Sequence, residues 1–198
     1  MAVREIVRYL ENEAVLRERS EPVSHVSRQV NQLVQDLKDT LNAHQNGIGL
    51  AAPQIDTHSR VVVMRLGGRQ EREETEPGPP IALINPQIVE ARDEKTDFDG
   101  CLSFPGLYGE TVRPHYLRVK GLDERGKPFD RVFEGFDAVV VHHEIDHLDG
   151  ILFIDRVESM EDLYQVQENQ DGELVRVPLS AVKKPISPFL PTASGGVS

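Results

Sequence analysis

The chain of 198 residues has no tryptophan and a single cysteine, Cys101. One cysteine cannot form an intramolecular disulfide, so Cys101 is a buried small side chain, a metal ligand or a nucleophile. Long apolar runs are also missing, because the longest, such as 61–64 and 138–141, are far too short to span a bilayer. The first residues lack the apolar stretch of a signal peptide. These absences predict a cytoplasmic protein.

Positive charge is scarce, with 22 lysines and arginines against 33 acidic residues and a net charge of −11. Broad nucleic-acid binding needs a basic surface, so DNA is excluded as a partner. No stretch resembles a basic amphipathic helix, which excludes a membrane surface. The length fits one ordinary domain. We expect this domain over 1–157, followed by a C-terminal extension over 158–198 that is partly helical and then loosely ordered.

Hydrophobic spacing gives a coarse secondary structure. Apolar residues at helical spacing predict an amphipathic helix over 25–44. Asp137 is a good N-cap for a second helix that runs to about Leu148. The other segments follow from apolar runs, turn residues and composition: a buried strand at 61–64, an exposed loop at 67–80, short strands at 81–84 and 87–91, a hairpin of 117–122 and 129–133, a short helix at 158–169, and a loose tail from Pro185.

Two histidines four residues apart, His143 and His147, form the most informative pattern. On a helix they lie one turn apart on one face, so both imidazoles can reach one ion. Glu144 follows the first histidine and can take a proton from water bound to that ion. The preceding turn is apolar all round, so these polar groups enter a buried environment. Uncompensated burial costs about 2–7 kcal/mol for each neutral group, and a metal site removes that cost.

A third ligand is needed. No histidine follows His147, which excludes the metalloproteases whose third ligand is a later histidine. Cys101 remains upstream, and a thiolate with two imidazoles leaves a fourth position open for water, as in catalytic sites. The alternative is an endopeptidase of the His-Glu-x-x-His type, whose third ligand would be a downstream glutamate, Glu158 or Glu168.

Residues 47–54 (GIGLAAPQ) are too rich in small side chains for an ordinary core element. A phosphate-binding loop is excluded because no lysine follows the second glycine at the required spacing. A helix cap with a tight turn explains Gly47 but not Gln54. A third interpretation is that Gly49 lets a peptide lie against the backbone while the Gln54 amide donates to a developing oxyanion.

Three segments together resemble the signature motifs of peptide deformylases, in the order and spacing of that family. They are GIGLAAPQ at 47–54, GCLS at 100–103 and HEIDHLDG at 143–150. The resemblance covers about residues 3–157. It implies an α+β fold in which short, mostly antiparallel strands surround a central metal-binding helix. It also implies hydrolytic removal of the N-formyl group from the N-terminal formylmethionine of nascent polypeptides, with release of formate.

The resemblance assigns a role to each motif position. Cys101, His143 and His147 would hold one divalent metal ion, and Glu144 would be the general base and acid. The ion would be ferrous iron in the cell, with nickel, cobalt or zinc also accepted.

The same resemblance implies that the Gln54 side chain and the Leu102 amide form the oxyanion hole. Substrate-binding positions would be Ile48, Gly49, Gly100, Phe136, Val139 and Val140.

The chain departs from the family pattern at three places. Asp99 stands where the family usually has glutamate; we expect it to bond a basic group such as Arg113, although the shorter carboxylate would let the Cys101 loop shift. His142, at a position that is commonly glutamine, is expected to face outward. The tail does not match the basic helix that some members use at the ribosome. The expected partner is the N-formylmethionyl peptide substrate. With the ribosome we therefore expect at most a transient contact. A non-catalytic peptide-binding relative is the remaining alternative.

Overall fold

Three α-helices organise the described part of the chain. The computed structural model describes residues 2–44, 46–67, 78–168 and 173–182. The helices are α1 (Tyr9–Arg17), α2 (Arg28–Ala43) and α3 (Gly135–Leu148). Ser27 caps α2 by accepting a hydrogen bond from the Val30 backbone, so the helix expected over 25–44 is confirmed with a later start. No helix in these residues is both long enough and apolar enough to cross a membrane.

The strands of the described residues form one antiparallel sheet. They are β1 (Gly49–Ala51), β2 (Val61–Met64), β3 (Ile81–Gly100), β4 (Leu107–Leu122), β5 (Pro128–Glu134), β6 (Leu163–Glu168) and β7 (Leu174–Pro178). The order is β1-β2-β3-β4-β6-β7, and β5 pairs with the far end of β4. The α+β class, the buried strand at 61–64 and the β4–β5 hairpin are therefore confirmed.

Strand β3 is longer than expected, because the two short strands predicted on either side of Asn85-Pro86 form one continuous strand. Asn85 has a φ of 50°, and the register with β4 shifts between Ile84 and Gln87. This irregularity bends the strand instead of ending it. The Asn85 amide also exchanges two hydrogen bonds of 2.7 and 2.8 Å with the Val23 backbone. Two strands, β3 and its partner β4, are thus longer than the short strands expected.

Helix α3 lies at the centre of the fold, in contact with β1, β2, β4 and β5. Every residue from Ala138 to Leu148 is buried. The core around the helix contains Val62, Leu117 and Ile145. The prediction of a helix buried on all sides is confirmed, and this burial makes each polar side chain on α3 dependent on a partner.

The start of α3 differs from the prediction. The helix begins at Gly135 after Glu134, so Asp137 is in its first turn and is not the N-cap. The Asp137 carboxylate instead accepts a hydrogen bond from the Gly67 backbone at 3.1 Å. The side chain predicted to cap the helix therefore bonds to a residue that is distant in the sequence.

The extension after residue 157 also differs from the prediction. Instead of a helix over 158–169, a short 3-10 turn at Met160–Asp162 leads into β6. Strand β6 pairs with the start of β4 and with β7. Backbone pairing to an open edge of β4 thus overrides the weak local helix preference. Most of the expected 67–80 loop and the loose tail from Pro185 fall outside the described residues, and the division at residue 157 stays a prediction.

Candidate active site

Three side chains of ligand type meet where β3 ends beside α3. Cys101 follows the last residue of β3, and His143 and His147 are one turn apart on α3. Their ligand atoms all lie within 4.8 Å of one another. The Cys101 Sγ atom is 3.2 Å from Nε2 of His147, and the two imidazole centroids are 5.0 Å apart. The structure therefore brings together the three predicted ligands.

This group fits a divalent metal ion. Tetrahedral sites with bonds of about 2.1–2.3 Å place neighbouring ligand atoms about 3.5 Å apart, within the observed spread. Burial lowers the pKa of His147 to about 3, which keeps its imidazole in the neutral form that binds metals. Oε2 of Glu144 is buried beside the group without a hydrogen-bond partner in the described chain. A nearby cation would compensate this oxygen.

Asp99 orients one of the ligands. Its Oδ1 atom is 2.9 Å from Nδ1 of His143, which leaves Nε2 of that ring for a metal. Its Oδ2 atom accepts a hydrogen bond of 2.7 Å from Nε of Arg113. Burial by itself would raise the pKa of Asp99, but His143 and Arg113 hold it below its usual range. The expected contact with Arg113 is confirmed, and Cys101 keeps its place in the ligand group.

Arg113 explains why the prediction for His142 is wrong. Arg113 on β4 is fully buried, and its Nη1 atom is 2.8 Å from Oδ2 of Asp146 and 2.7 Å from Nδ1 of His142. Arginine only donates, so Nδ1 of His142 accepts and the ring proton is on Nε2. Burial lowers the pKa of His142 to about 4, consistent with a neutral ring. His142 therefore faces inward because a buried guanidinium needs acceptors.

Glu144 is buried on the other side of the ligand group, against β1. A Cβ atom built on Gly49 would lie only 2.2 Å from Oε1 of Glu144. The glycine therefore makes room for this carboxylate. Burial raises the pKa of Glu144 to about 7.

Gly49→Ala is expected to lower kcat/KM about tenfold to a hundredfold, because the new methyl group displaces the Glu144 carboxylate. The melting temperature should also fall, since the displaced side chain is buried in the core and its Cγ atom is in the contact. Gly78→Ala is the matched control, because a Cβ there meets no atom within 4 Å. Steady-state kinetics and thermal unfolding of both variants check this. Equal activity of the two variants would contradict the assignment of Gly49.

The Gln54 amide is fixed from both ends. Its Oε1 atom accepts a hydrogen bond of 2.8 Å from the Ala51 backbone. Its Nε2 atom donates to the Cys101 sulfur at 3.3 Å and to Oγ of Ser103 at 3.1 Å. The N–H groups therefore face the ligand group. Ser103 belongs to the GCLS motif but was not among the predicted site residues.

These side chains meet in one cavity of about 730 Å³, a size typical of ligand sites. The predicted positions that line the cavity are Ile48, Gly49, Gln54, Gly100, Cys101, Leu102, Phe136, Val139, Val140, His143 and Glu144. His147 is not among the lining residues. Sequence reasoning missed Phe98 and Tyr108, which also line the cavity. The Tyr108 ring packs directly on Gly100, where a Cβ would lie 2.6 Å from it.

The structure does not support the downstream glutamate as a ligand. Glu158 is exposed, and the described group of ligand atoms contains only Cys101, His143 and His147. The side chain of Glu168 lies outside the described part of the chain.

Comparison with known proteins agrees with this geometry. The model of the polypeptide deformylase family matches residues 3–163. A peptide deformylase of Heliobacterium modesticaldum is 44% identical over 80% of this chain and 97% of its own length. One from Thermomicrobium roseum is 41% identical over 86% and 95%. The crystal structure of the Ehrlichia chaffeensis peptide deformylase matches with a TM-score of 0.71 and 33% identity over 81% of this chain and 91% of that one. The chain therefore belongs to the polypeptide deformylase family, metal-dependent hydrolases that remove the N-formyl group from nascent peptides.

Proposed function

We propose that Cys101, His143 and His147 bind the catalytic metal ion and that Glu144 is the general base and acid of deformylation. One observation carries this proposal: Cys101, His143, a buried carboxylate and an amide donor line the same cavity, and the ligand atom of His147 lies within 4.8 Å of those of Cys101 and His143. The burial of both histidines and of Glu144 also argues for a function, because a scaffold needs none of these polar groups in its core.

When bound, a divalent ion supplies Lewis acidity, which lowers the pKa of water and polarises a carbonyl. Glu144 then accepts the proton of the attacking water and passes it to the departing amine. Its Oε2 atom has no hydrogen-bond partner in the described chain, so it is available for this transfer. Asp99 holds the ring of His143 in place through Nδ1.

The oxyanion formed by attack on the formyl carbon would be stabilised by the Gln54 amide and the Leu102 backbone N–H. Gln54 is suited to this role because its oxygen is held by Ala51, so its N–H groups keep their direction toward Cys101. A donor fixed before the reaction needs no reorganisation when the charge develops.

The substrate is the N-terminal formylmethionine of a peptide, and we propose that its side chain enters an apolar slot at the first two turns of α3. The helix lines the cavity with Phe136, Val139 and Val140. The segment before β1 lines it with Ile48. We keep Gly49 and Gly100 as proposed substrate contacts through their backbones, because both line the cavity; the space that a Cβ would fill at each is taken by Glu144 and by Tyr108.

For the cell we propose ferrous iron as the metal and the cytoplasm as the location, with at most a transient ribosome contact. A mixed sulfur and imidazole site accepts iron, zinc, nickel and cobalt, so the choice of iron rests on the family. We further propose that residues 1–157 form the catalytic domain and 158–198 an extension of it.

The direct test is formate release from a formyl-methionyl-alanyl-serine peptide by protein prepared without oxygen. We expect turnover in proportion to bound metal, and loss of turnover after chelation that ferrous iron restores. A metal-loaded protein that binds the peptide without releasing formate would instead be a non-catalytic relative.

The ligand assignment has its own test, because the endopeptidase alternative uses a glutamate in place of Cys101. Cys101→Ala is expected to lose bound metal, whereas Glu158→Ala should keep one ion per chain. Metal analysis after gel filtration measures both. Full metal content in the cysteine variant together with loss in the glutamate variant would favour the endopeptidase.

A further inference from the structure

The β6–β7 hairpin of the extension packs against the wall of the active-site cavity. Strand β6 pairs with Leu107–Gly109 of β4, and the Val166 backbone donates to the Gly106 carbonyl at 3.0 Å. Gly106 and Tyr108 both line the cavity. Residues beyond the three signature motifs are thus in contact with the substrate site.

An aromatic stack connects this hairpin to the metal ligands. The Phe98 ring lies 5.5 Å from Tyr108, with only 13° between their planes, and 5.9 Å from Tyr164 of β6. Tyr108 in turn covers Gly100, the residue before Cys101. The Tyr164 hydroxyl donates a hydrogen bond of 3.3 Å to the carboxylate of Glu110, so this acidic side chain already has a partner.

Arg176 of β7 carries a positive charge to the outer end of the stack. Its guanidinium carbon is 3.7 Å from the centre of the Phe98 ring, and the side chain is exposed. A cation–π contact holds the group in place without neutralising it. Within the described residues no carboxylate is in ion-pair distance of Arg176.

Two other arginines, which line the cavity directly, have acidic partners. Arg4 is 3.5 Å from the Asp36 carboxylate, and Arg8 is 4.0 Å from that of Glu11. Arg176 is therefore a positive group that lies beside the substrate site on the Phe98 ring and has no carboxylate partner among the described residues. In a chain with a net charge of −11, such a group acts against the prevailing negative field.

We propose that Arg176 is a specificity-determining residue that favours an acidic side chain at the third position of the formylated peptide. The position follows from distance along β3. Phe98 precedes Cys101 by three residues, and an extended strand rises about 3.3 Å per residue, so the two are about 10 Å apart. An extended peptide whose formyl group lies at Cys101 reaches the same distance at its third residue. This inference rests on the proposed function of the cavity.

The test compares two peptides that differ in charge but not in shape, formyl-Met-Ala-Glu-Ser and formyl-Met-Ala-Gln-Ser. The wild type should prefer the glutamate peptide about two- to fivefold in kcat/KM, through KM, the range expected of an exposed ion pair. Arg176→Ala should bring the ratio to about one, and Arg176→Glu should invert it. High salt should weaken the wild-type preference.

Arg131→Ala is the matched control. Arg131 is also exposed and lies over a phenylalanine on β5 at 5.7 Å, but this ring, Phe129, does not line the cavity as Phe98 does. The Arg131→Ala substitution removes the same charge and should leave the peptide preference unchanged. The inference would be overturned if Arg176→Ala kept the wild-type ratio of kcat/KM for the two peptides, or if both variants lost that preference equally. Absence of formate release from either peptide in the wild type would overturn the proposed function instead.

Discussion

Replacing Glu144 by glutamine or alanine is expected to lower kcat about 10²- to 10⁴-fold while one metal ion per chain is retained. Glutamine keeps the shape of the side chain that fills the space above Gly49, but it cannot accept the proton of the attacking water. The proposed ligands Cys101, His143 and His147 are untouched, so metal content and activity should separate.

Formate release and metal analysis on the same preparation measure both quantities. Glu134→Gln is the matched control, since this exposed glutamate precedes the same helix and its side chain makes no capping hydrogen bond. The control should stay within about twofold of the wild type. Comparable activity in Glu144→Gln would show that another group moves the proton.

Arg113→Met is expected to cost about 3–5 kcal/mol of unfolding free energy. The guanidinium is fully buried between Asp99 and Asp146, whose side chains are each only 7% exposed. Methionine fills much of the volume of the arginine side chain. The buried carboxylates of Asp99 and Asp146 would each lose one partner. Asp99 would also hold His143 less firmly, so metal affinity should fall about 10- to 100-fold, as for other groups that orient a ligand.

Urea unfolding at a fixed metal concentration measures the stability, and titration with a chelator measures the affinity. Arg118→Met is the control, because Arg118 makes two 2.8 Å contacts with Asp130 on the exposed surface. That pair is 47% and 37% exposed and is screened by solvent, so its removal should leave the unfolding free energy nearly unchanged. If the two variants were equally stable, the buried network would be energetically neutral.

The sequence was most informative where chemistry depends on short spacing. The i and i+4 positions of His143 and His147 predict a shared ligand face, and Cys101 follows as the available third ligand. The apolar turn before them predicts a buried helix, and the helix spacing over 25–44 predicts α2. The histidine pair and the two helices need only a few neighbouring residues, which is why the structure agrees with these inferences, whereas Cys101 was chosen because no histidine follows His147.

The sequence was less informative where the conformation of a residue depends on a partner far away in the chain. His142 faces inward because Arg113, 29 residues away, donates to it. Asp137 is not a cap because it bonds to Gly67, 70 residues away. The strand through Asn85 continues because a bulge and a contact with Val23 stabilise it. No local pattern contains these partners, so neither periodicity nor capping preference could identify them.

The separation of the ligands along the chain has a thermodynamic consequence. Cys101 and His147 are 46 residues apart, and the whole β4–β5 hairpin lies between them. An ion held by both side chains closes this loop, as a crosslink does, and binds only the folded chain. The folded state therefore gains about 2.7 kcal/mol when free metal is a hundredfold above its dissociation constant. Metal supply thus sets the persistence of the folded enzyme as well as its turnover.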